Sequence, residues 1–323
     1  MAEVLPNGKE NIMRVKGIAI NADAGMLDGN LEVLNRELQY FRDLGFSHVE
    51  IAPHGVGVIY NGIINRTRMA ELLQILWQYP FRYVVHAPNA MNLMNMDDGV
   101  TERNLFEATI EFTTTIGAAV MVYHAGRFLP EEKFMLTGQE ILTPLKRAAM
   151  WEREKTMLYE LGDIAAEHGL TIAVENTRPY LEARHYCYGE TLDQLAAMMR
   201  QIDHPQVGVA LDAGHAYLTA CHYQYDLLAG VEALAPYVRH IHLHDNFGKC
   251  CTYFAKKQQY ELTATGRGDM HMPIGWGAVP VREILTRLPN YHGVVTLEIH
   301  PRYRAYYGEA LRNTQELLEC ITD

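Results

Sequence analysis

The 323-residue sequence is poor in cysteine and has none at metal-binding spacing. Its five cysteines include no CxxC pair, which argues against a disulfide framework or a cysteine-ligated zinc site. No apolar run reaches the roughly 18 residues that a membrane-spanning helix requires. The first 16 residues are polar and charged and lack the apolar segment of a signal peptide. We therefore expect a soluble, cytoplasmic protein with no membrane partner.

Positive charge is also scarce, with 28 Lys and Arg residues against 39 Asp and Glu residues and a formal net charge of −11. This balance argues against a globally basic nucleic-acid-binding protein, although it leaves a local basic surface open. The chain is 48% hydrophobic and 21% charged, so it can bury a large core. Its length would suit two domains, but α/β barrels of this size form one.

Short apolar runs alternate with helical patterns along the chain. A polar leader, residues 1–14, precedes the first run at Val15–Asn21, and the helical spacing of Leu31–Gly45 follows. Eight such strand-like runs occur, each followed by a helical stretch. The runs lack strict polar alternation, as in strands buried on both faces of a parallel sheet. We therefore predict an α/β fold, a single (β/α)8 TIM barrel over residues 1–323.

An open, doubly wound parallel sheet is the alternative fold. Such sheets usually carry a glycine-rich phosphate loop after their first strand, and NADAG is a poor match to it.

Residues that commonly bind metal ions lie at the ends of six predicted strands. VVHAP, VYHAG, AVEN, ALDAGH, HIHLHD and TLEIH each place a His, Asp or Glu near the carboxyl end of a run, where barrel active sites lie. Alone, each has a structural explanation, such as a hydrogen-bonded core histidine. Together they favour a metal site, because buried carboxylates are costly unless paired or metal-bound. With three residues from the loops that follow, the candidates are His86, His124, Glu175, Asp212, His215, His242, Asp269, His271 and Glu298.

Seven motifs, taken in order, resemble the strand ends of the xylose isomerase-like barrel superfamily. They are HAPNAMNL, YHAGR, AVENT, LDAGHAYL, HIHLHDN, GDMHMPIGWG and TLEIHP, and the resemblance runs from about Val15 to the C-terminus. The superfamily contains sugar and sugar-phosphate isomerases and epimerases, and also abasic-site nucleases of the endonuclease IV type. The resemblance implies a divalent metal cofactor (zinc, manganese or cobalt).

Carried over motif by motif, the resemblance implies one to three ions. The central ion would be held by Glu175, Asp212, His242 and Glu298. A second, as in the nucleases, would be held by His86, His124 and a shared Glu175. A third would be held by His215, Asp269 and His271. The remaining candidates of the same stretch are then predicted to support the ligands from behind or to face the substrate. They are His240, His244 and Asp245.

Two activities are compatible with this ligand set. The first is an isomerase or epimerase acting on a sugar, sugar phosphate or related polyhydroxy ketone. Glu175 and Glu298 would move a proton through a metal-stabilised enediolate, and His215 would orient the substrate. The alternative is an endonuclease IV-like, zinc-dependent abasic-site phosphodiesterase, whose partner would be nucleic acid. A metal-binding module without catalysis is a third interpretation.

Two departures from the nuclease pattern weaken the DNA interpretation. Asn89 follows HAP where the nucleases have a tyrosine, and RPYLEARHY follows ENT in place of a glycine- and glutamine-rich segment.

Basic and aromatic residues in the loops at the same face are candidates for substrate binding. Their concentration in an acidic protein suggests an anionic substrate such as a sugar phosphate, although solvated loop charges explain them equally well. The candidates are Arg127, Arg178, Lys249, Arg267, Trp276 and His244. The sequence leaves the oligomeric state open, with a homo-oligomer among the options.

Overall fold

The structure is a computed structural model, and it describes residues 13–134, 136, 142–256 and 259–322. All but the last two residues of the predicted leader lie outside this range. Of those two, Met13 is buried, and Arg14 donates its backbone N–H to the Tyr291 carbonyl at 2.9 Å. The end of the leader therefore packs against the segment that enters the last barrel strand.

Eight parallel strands close into a barrel, so the predicted (β/α)8 fold is confirmed. Each strand pairs with its neighbours in chain order, and the first closes the ring against the last, where Gly17 faces Val294. The strands are β1 (Gly17–Ala22), β2 (His48–Ile51), β3 (Arg82–His86), β4 (Val120–His124), β5 (Thr171–Glu175), β6 (Val207–Asp212), β7 (Val238–Leu243) and β8 (Val294–Leu297).

Helices of six or more residues flank the barrel. They are α1 (Leu31–Leu44), α2 (Arg66–Leu76), α3 (Gly99–Thr115), α4 (Pro144–Glu167), α5 (Leu192–Ile202), α6 (Ala213–Tyr223), α7 (Leu227–Leu234), α8 (Val281–Thr286) and α9 (Tyr307–Thr322). Four-residue helices occur at Ala24–Leu27, Tyr253–Lys256 and Gln259–Leu262. Turns of 3-10 helix occur at Glu131–Lys133, Tyr188–Glu190, Ala235–Tyr237 and Pro301–Tyr306, and a small hairpin pairs Ile59–Tyr60 with Ile63–Ile64. Within the described residues, no helix is long and apolar enough to cross a membrane.

The first long helix shows how the sequence sets its limits. The Asn30 side chain accepts the N–H groups of Glu32 and Val33, and Gly45 ends the helix in the left-handed region at φ 95°. An N-cap side chain and a glycine C-cap are common helix boundaries. The predicted span Leu31–Gly45 is accordingly confirmed.

One helix lies where the sequence pattern indicates a loop. α6 begins at Ala213, directly after β6, because the Asp212 carboxylate accepts the His215 N–H at 2.6 Å and caps the helix. His215 therefore lies in the first turn of a helix, and a rigid element holds its side chain at the barrel mouth.

The side chains two residues before four of the strand-end candidates pack inside the barrel. Val84, Val122, Ala173 and Ala210 form a small buried cluster, separate from the main core. Because side chains alternate along a strand, these residues share the inner face with the ligand-type residues that follow them. A compact apolar layer therefore supports the polar mouth.

Candidate metal centre

Glu175, at the end of β5, lies at the centre of the polar mouth and is fully buried. Its Oε1 is 2.9 Å from His242 Nδ1, and its Oε2 is 3.0 Å from His124 Nε2 and 3.3 Å from His86 Nε2. Burial would raise the pKa of Glu175, but the charges and hydrogen bonds of His242 and His124 hold the pKa well below its usual range. The glutamate is therefore an anion surrounded by imidazoles.

The central group consists of Glu175, Asp212, His242 and Glu298, whose donor atoms lie within 4.8 Å of one another. Among the described residues, no hydrogen bond reaches Asp212 Oδ2, although this aspartate is fully buried. A buried carboxylate oxygen without a partner is costly. Three carboxylates and an imidazole are suitable ligands for a divalent cation, which would compensate the charge. The residues therefore fit the ion that the resemblance implies.

A second group of possible ligands shares Glu175 with the central group. The donor atoms of His86, His124 and Glu175 lie within 4.8 Å of one another. Burial lowers the pKa of His86, but Glu175, with smaller contributions from Glu50 and Glu298, outweighs burial and raises this pKa to about 9. Without an ion, a proton on His86 therefore partly balances the carboxylates.

The outer group is formed by His215, Asp269 and His271. Asp269 Oδ2 is 2.9 Å from His271 Nε2 and 3.2 Å from His215 Nε2. The same oxygen is 3.2 Å from both Arg178 Nη1 and Lys256 Nζ. Burial would raise the pKa of Asp269, but the charges of His271, His215 and Lys256 keep the pKa well below its usual range. All nine ligand-type residues predicted from the sequence thus meet at one end of the barrel.

Hydrogen bonds between side chains and the backbone hold the loop that carries Asp269 and His271. His271 adopts φ 45°, an uncommon value for a residue with a side chain, and its Nδ1 is 2.8 Å from the Glu298 carbonyl. Asp245 accepts the N–H groups of Gly275, Gly277 and Val279. Asp245, predicted as a residue behind the ligands or facing the substrate, therefore organises the loop that follows the outer group.

Sequence reasoning missed Glu50, which lies in β2 and is 3% exposed. Its Oε2 is 2.9 Å from His242 Nε2, the nitrogen opposite the one that faces Glu175. Carboxylates in this position fix the tautomer and orientation of metal-ligating histidines. The signal in the sequence is a glutamate inside the apolar run HVEIA. Its role depends on reaching across the barrel, which no local pattern reveals.

Two of the predicted substrate-binding residues are engaged in structural contacts. The Arg127 guanidinium bonds to Glu131 at 2.7 Å and to the Ala90 and Met91 carbonyls, and it is 4% exposed. The Trp276 indole N–H donates to Glu309 at 2.8 Å, in α9. The geometry thus ties both side chains to neighbouring segments and gives no support to a substrate-binding role.

The other four candidates fall into two pairs. Lys249 and Arg267 are exposed, and the Gly268 N–H, donating to the Lys249 carbonyl at 2.7 Å, holds their two segments together. Arg178 and His244 lie inside, next to the outer group. Substrate binding stays a prediction for these four residues.

A cavity of about 100 Å³ opens beside the central group. Its lining includes Glu298, Glu50, His86, His54 and Asn89. The His54 side chain is exposed, so it lies on the solvent side of the cavity. The volume equals that of roughly three water molecules. It suits one end of a small polar molecule, with the rest directed towards solvent.

The profile of the xylose isomerase-like TIM barrel family matches residues 38–323. The chain belongs to this family. Among proteins similar in sequence, an uncharacterized protein of Methanocaldococcus jannaschii is 25% identical over 232 residues, covering 70% of this chain and 67% of that protein. A protein of Mycoplasmoides gallisepticum named probable endonuclease 4 is 26% identical over 212 residues, covering 65% of this chain and 60% of that protein.

Solved structures of the xylose isomerase-like family share the fold over nearly the whole chain. A D-tagatose 3-epimerase-like protein has a TM-score of 0.68 at 21% identity, covering 94% of this chain and 98% of its own. A D-psicose 3-epimerase crystallised with D-fructose has a TM-score of 0.63 at 13% identity, covering 94% and 99%. A family member from Mycobacterium smegmatis in complex with magnesium has a TM-score of 0.62 at 18% identity, covering 95% and 96%. At these identities the likeness establishes the fold alone.

Proposed function

We propose that this protein is a divalent-metal-dependent isomerase or epimerase acting on a sugar, sugar phosphate or related polyhydroxy ketone. The observation that carries the proposal is the central group beside an open pocket. Glu175, Asp212, His242 and Glu298 bring their donor atoms within 4.8 Å of one another, and Glu298 also lines the cavity. Two glutamates in one group, one of which borders a small polar pocket, are suited to moving a proton on a bound polyol.

A divalent ion held by the central group would supply a Lewis acid that polarises the substrate carbonyl. The chain's own carboxylates would then exchange the proton on the neighbouring carbon. Of the two glutamates proposed to move the proton, Glu298 borders the pocket, with a side chain 19% exposed, whereas Glu175 is fully enclosed. Burial raises the pKa of Glu298, but His271 and His242 hold this pKa well below its usual range, so the group is ionised and can accept a proton.

Further residues would keep these carboxylates in place. Glu50 holds His242 from the side opposite Glu175, and Asp212 is fixed as the cap of α6. Lys249 and Arg267 are the exposed cations that would meet a phosphate on the substrate. His215 contacts Asp269 through Nε2 and the Asn176 carbonyl through Nδ1, so it would orient the substrate only from the outer group.

The structurally similar proteins support a sugar substrate for this chain. They include a D-tagatose 3-epimerase-like protein, a D-psicose 3-epimerase and a 3-keto-D-glucoside 4-epimerase. These names cover different carbohydrates, so the substrate class proposed for this chain is a ketose or keto-sugar without a named member.

The test is isotope exchange in deuterated water. We expect the manganese- or zinc-loaded protein to exchange the proton beside the carbonyl of at least one ketose or ketose phosphate, followed by NMR. EDTA should abolish the exchange, and Glu298→Gln should lower its rate by roughly 10²–10⁴-fold. Glu37→Gln is the matched control, because Glu37 is a buried glutamate of α1 paired with Arg304. Equal rates in the wild type and Glu298→Gln would contradict the proposed role.

The alternative function is an abasic-site phosphodiesterase of the endonuclease IV type. It is favoured by the two additional groups of possible ligands, His86–His124–Glu175 and the outer group, and by the likeness to a probable endonuclease 4. If the zinc-loaded protein nicks a duplex with an abasic site, and exchanges no ketose proton, this function replaces the isomerase. An EDTA-treated sample is the control for contaminating metal-independent nucleases.

A further inference from the structure

His244 is a fourth ligand-type side chain at the outer group. It follows His242 by two residues, so a strand would place both on the same face. The side chain is 0% exposed, its Nε2 is 3.6 Å from Asp269 Oδ1, and its ring stacks on His271 with centroids 4.0 Å apart. The donor atoms of His215, His244, Asp269 and His271 lie within 4.8 Å of one another.

The polar contacts of the His244 ring are incomplete within the described residues. Among the described residues, neither ring nitrogen makes a hydrogen bond of good geometry, although Nε2 is 3.1 Å from Asp212 Oδ1. A fully buried imidazole without hydrogen bonds is costly. Its position next to a carboxylate and two other imidazoles indicates the kind of partner that would satisfy it.

We propose that His215, His244, Asp269 and His271 form a closed, four-ligand zinc site. In a tetrahedral zinc site with bonds of about 2.0 Å, neighbouring ligand atoms are separated by ~3.3 Å. The outer group shows separations of 2.9, 3.2 and 3.6 Å from Asp269 oxygens to His271, His215 and His244. Three imidazoles and a carboxylate are a suitable ligand set for zinc.

The outer ion would lie among several buried carboxylates at the barrel mouth. Five buried carboxylates lie here, and Arg178 and Lys256 contact one of them, Asp269, at 3.2 Å. Within the described part of the chain, these two basic side chains are fewer than the carboxylates, so protonated imidazoles such as His86 or bound cations supply the remaining positive charge. The carboxylates are Glu50, Glu175, Asp212, Asp269 and Glu298. Arg178 and Lys256 would act as partners that fix the orientation of Asp269.

The chain makes room for His244 at one glycine. A side chain at Gly214, in the first turn of α6, would place its Cβ 2.1 Å from the His244 ring. A contact that short is not tolerated between real atoms. The glycine therefore allows His215, in α6, and His244, directly after β7, to lie against the same aspartate. The consequence is chemical, because four protein ligands complete a tetrahedral zinc site. The central group has as many possible ligands, but its Glu298 borders the cavity through which a substrate could reach the ion, and the four outer residues do not line that cavity. The outer ion would therefore stabilise the loop carrying Asp269 and His271 without activating a water molecule.

The experiment measures the amount and affinity of bound metal, so its outcome is independent of the proposed isomerase activity. The wild-type protein and the variants His244→Asn, His271→Asn and His242→Asn are titrated with zinc against a competing chelator. Zinc content is measured by mass spectrometry. His48→Asn is the control, because His48 is a buried histidine at the start of β2 that bonds to Ser47. Cobalt replaces zinc in a parallel series, because four-coordinate cobalt absorbs visible light much more strongly than cobalt with five or six ligands.

We expect the wild type to bind at least two zinc ions, and one cobalt ion to show the intense four-coordinate spectrum. His244→Asn should weaken the same ion as His271→Asn, by at least the roughly 10–100-fold that loss of a supporting partner costs, and should remove the intense spectrum. A variant that combines His244→Asn with His271→Asn should lose no more zinc than His271→Asn alone. His48→Asn should bind zinc as the wild type does.

Three results would overturn the proposal. The wild type could bind no second ion at saturating zinc, as expected if Arg178 and Lys256 take its place. His244→Asn could weaken the ion that His242→Asn removes, which would make His244 a positioning residue for Asp212. The wild-type cobalt spectrum could lack a four-coordinate ion, a result that remains decisive if a variant fails to fold.

Discussion

Glu175 and Glu154 are both fully buried glutamates, and both lie near the end of β4, yet their surroundings differ. The Glu175 side chain contacts three imidazoles, whose charges and hydrogen bonds hold its pKa well below the usual range. Glu154, in α4, instead accepts the Gly126 N–H at 3.1 Å and the hydroxyl groups of Tyr188 and Tyr123. Burial raises the pKa of Glu154 to about 7, only partly offset by these hydrogen bonds.

The difference shows that burial of a carboxylate does not by itself indicate a functional site. Hydroxyl and backbone N–H donors satisfy the hydrogen-bonding capacity of a buried carboxylate, so no cation is needed beside it. Imidazoles are ligands themselves, so a carboxylate among them is one member of a potential metal site. The partners of the two glutamates therefore distinguish a structural support from a candidate active centre.

The largest expected effect is the loss of activity in Glu175→Gln, which Glu154→Gln should not show. Glu175→Gln removes a side chain common to two of the groups of possible ligands, so we expect loss of bound metal and a fall in ketose proton exchange of roughly 10²–10⁴-fold. Glu154→Gln should keep metal content and exchange within a few-fold of the wild type. Metal analysis and NMR exchange rates test both variants, and a similar loss in the two would remove the distinction.

For the pH dependence of stability, the glutamate with the larger expected effect is Glu154. The folded-state pKa of Glu154, about 7, lies above the ordinary value of 4.5. Its neutral form therefore adds stability below about pH 4.5, and this contribution is lost as the pH rises through about 7. The loss amounts to about 3 kcal/mol, at 1.36 kcal/mol per pKa unit. Urea unfolding from pH 5 to 8 should show Glu154→Gln gaining on the wild type as pH rises, and parallel curves would contradict the assignment.

Glu50 combines features of both glutamates, because it contacts His242 from behind the central group. Glu50→Gln keeps an acceptor for His242 but removes the charge. We expect the affinity of the central ion to fall by roughly 10–100-fold, the usual cost of losing a supporting carboxylate. Competition with a chelator measures this affinity. An unchanged affinity would place Glu50 with Glu154 among the structural carboxylates.

The smallest expected effect concerns exposed charges outside the buried groups. Lys249→Ala and Arg267→Ala should each raise the KM for a ketose phosphate by roughly 2–5-fold, because solvent-screened ion pairs contribute at most about 1 kcal/mol. The KM of the unphosphorylated ketose is the control and should not change. High salt should abolish the difference between variant and wild type. An equal effect on both substrates would argue against a phosphate contact.

The barrel and the positions of its nine ligand-type residues were predictable from the sequence. Apolar runs alternate with helices, and parallel strands direct their carboxyl ends to one face, so His86 and Glu298 meet although they are far apart in the chain. The inner face follows from alternation along each strand. These inferences need only local patterns and one topological rule.

The remaining features depend on contacts between distant segments. The Arg127 guanidinium donates to carbonyls before α3, and the Trp276 indole donates to Glu309 in α9, contacts that their positions in the sequence do not predict. Glu50 bonds to His242 across the barrel, 192 residues later in the chain. Pairings of this kind are set by side-chain reach in the folded molecule. No spacing in the sequence encodes them.

Gly214 and His244 should vary together among proteins of this fold. The glycine in DAGH leaves the space that the third histidine of HIHLHD occupies, so an alanine at 214 would require a smaller residue at 244. A relative with both residues would be able to build the four-ligand outer site, and a relative with neither would have at most three ligands there. Two short motifs, read as a pair, would then divide such barrels into those that close the outer site and those that leave it open.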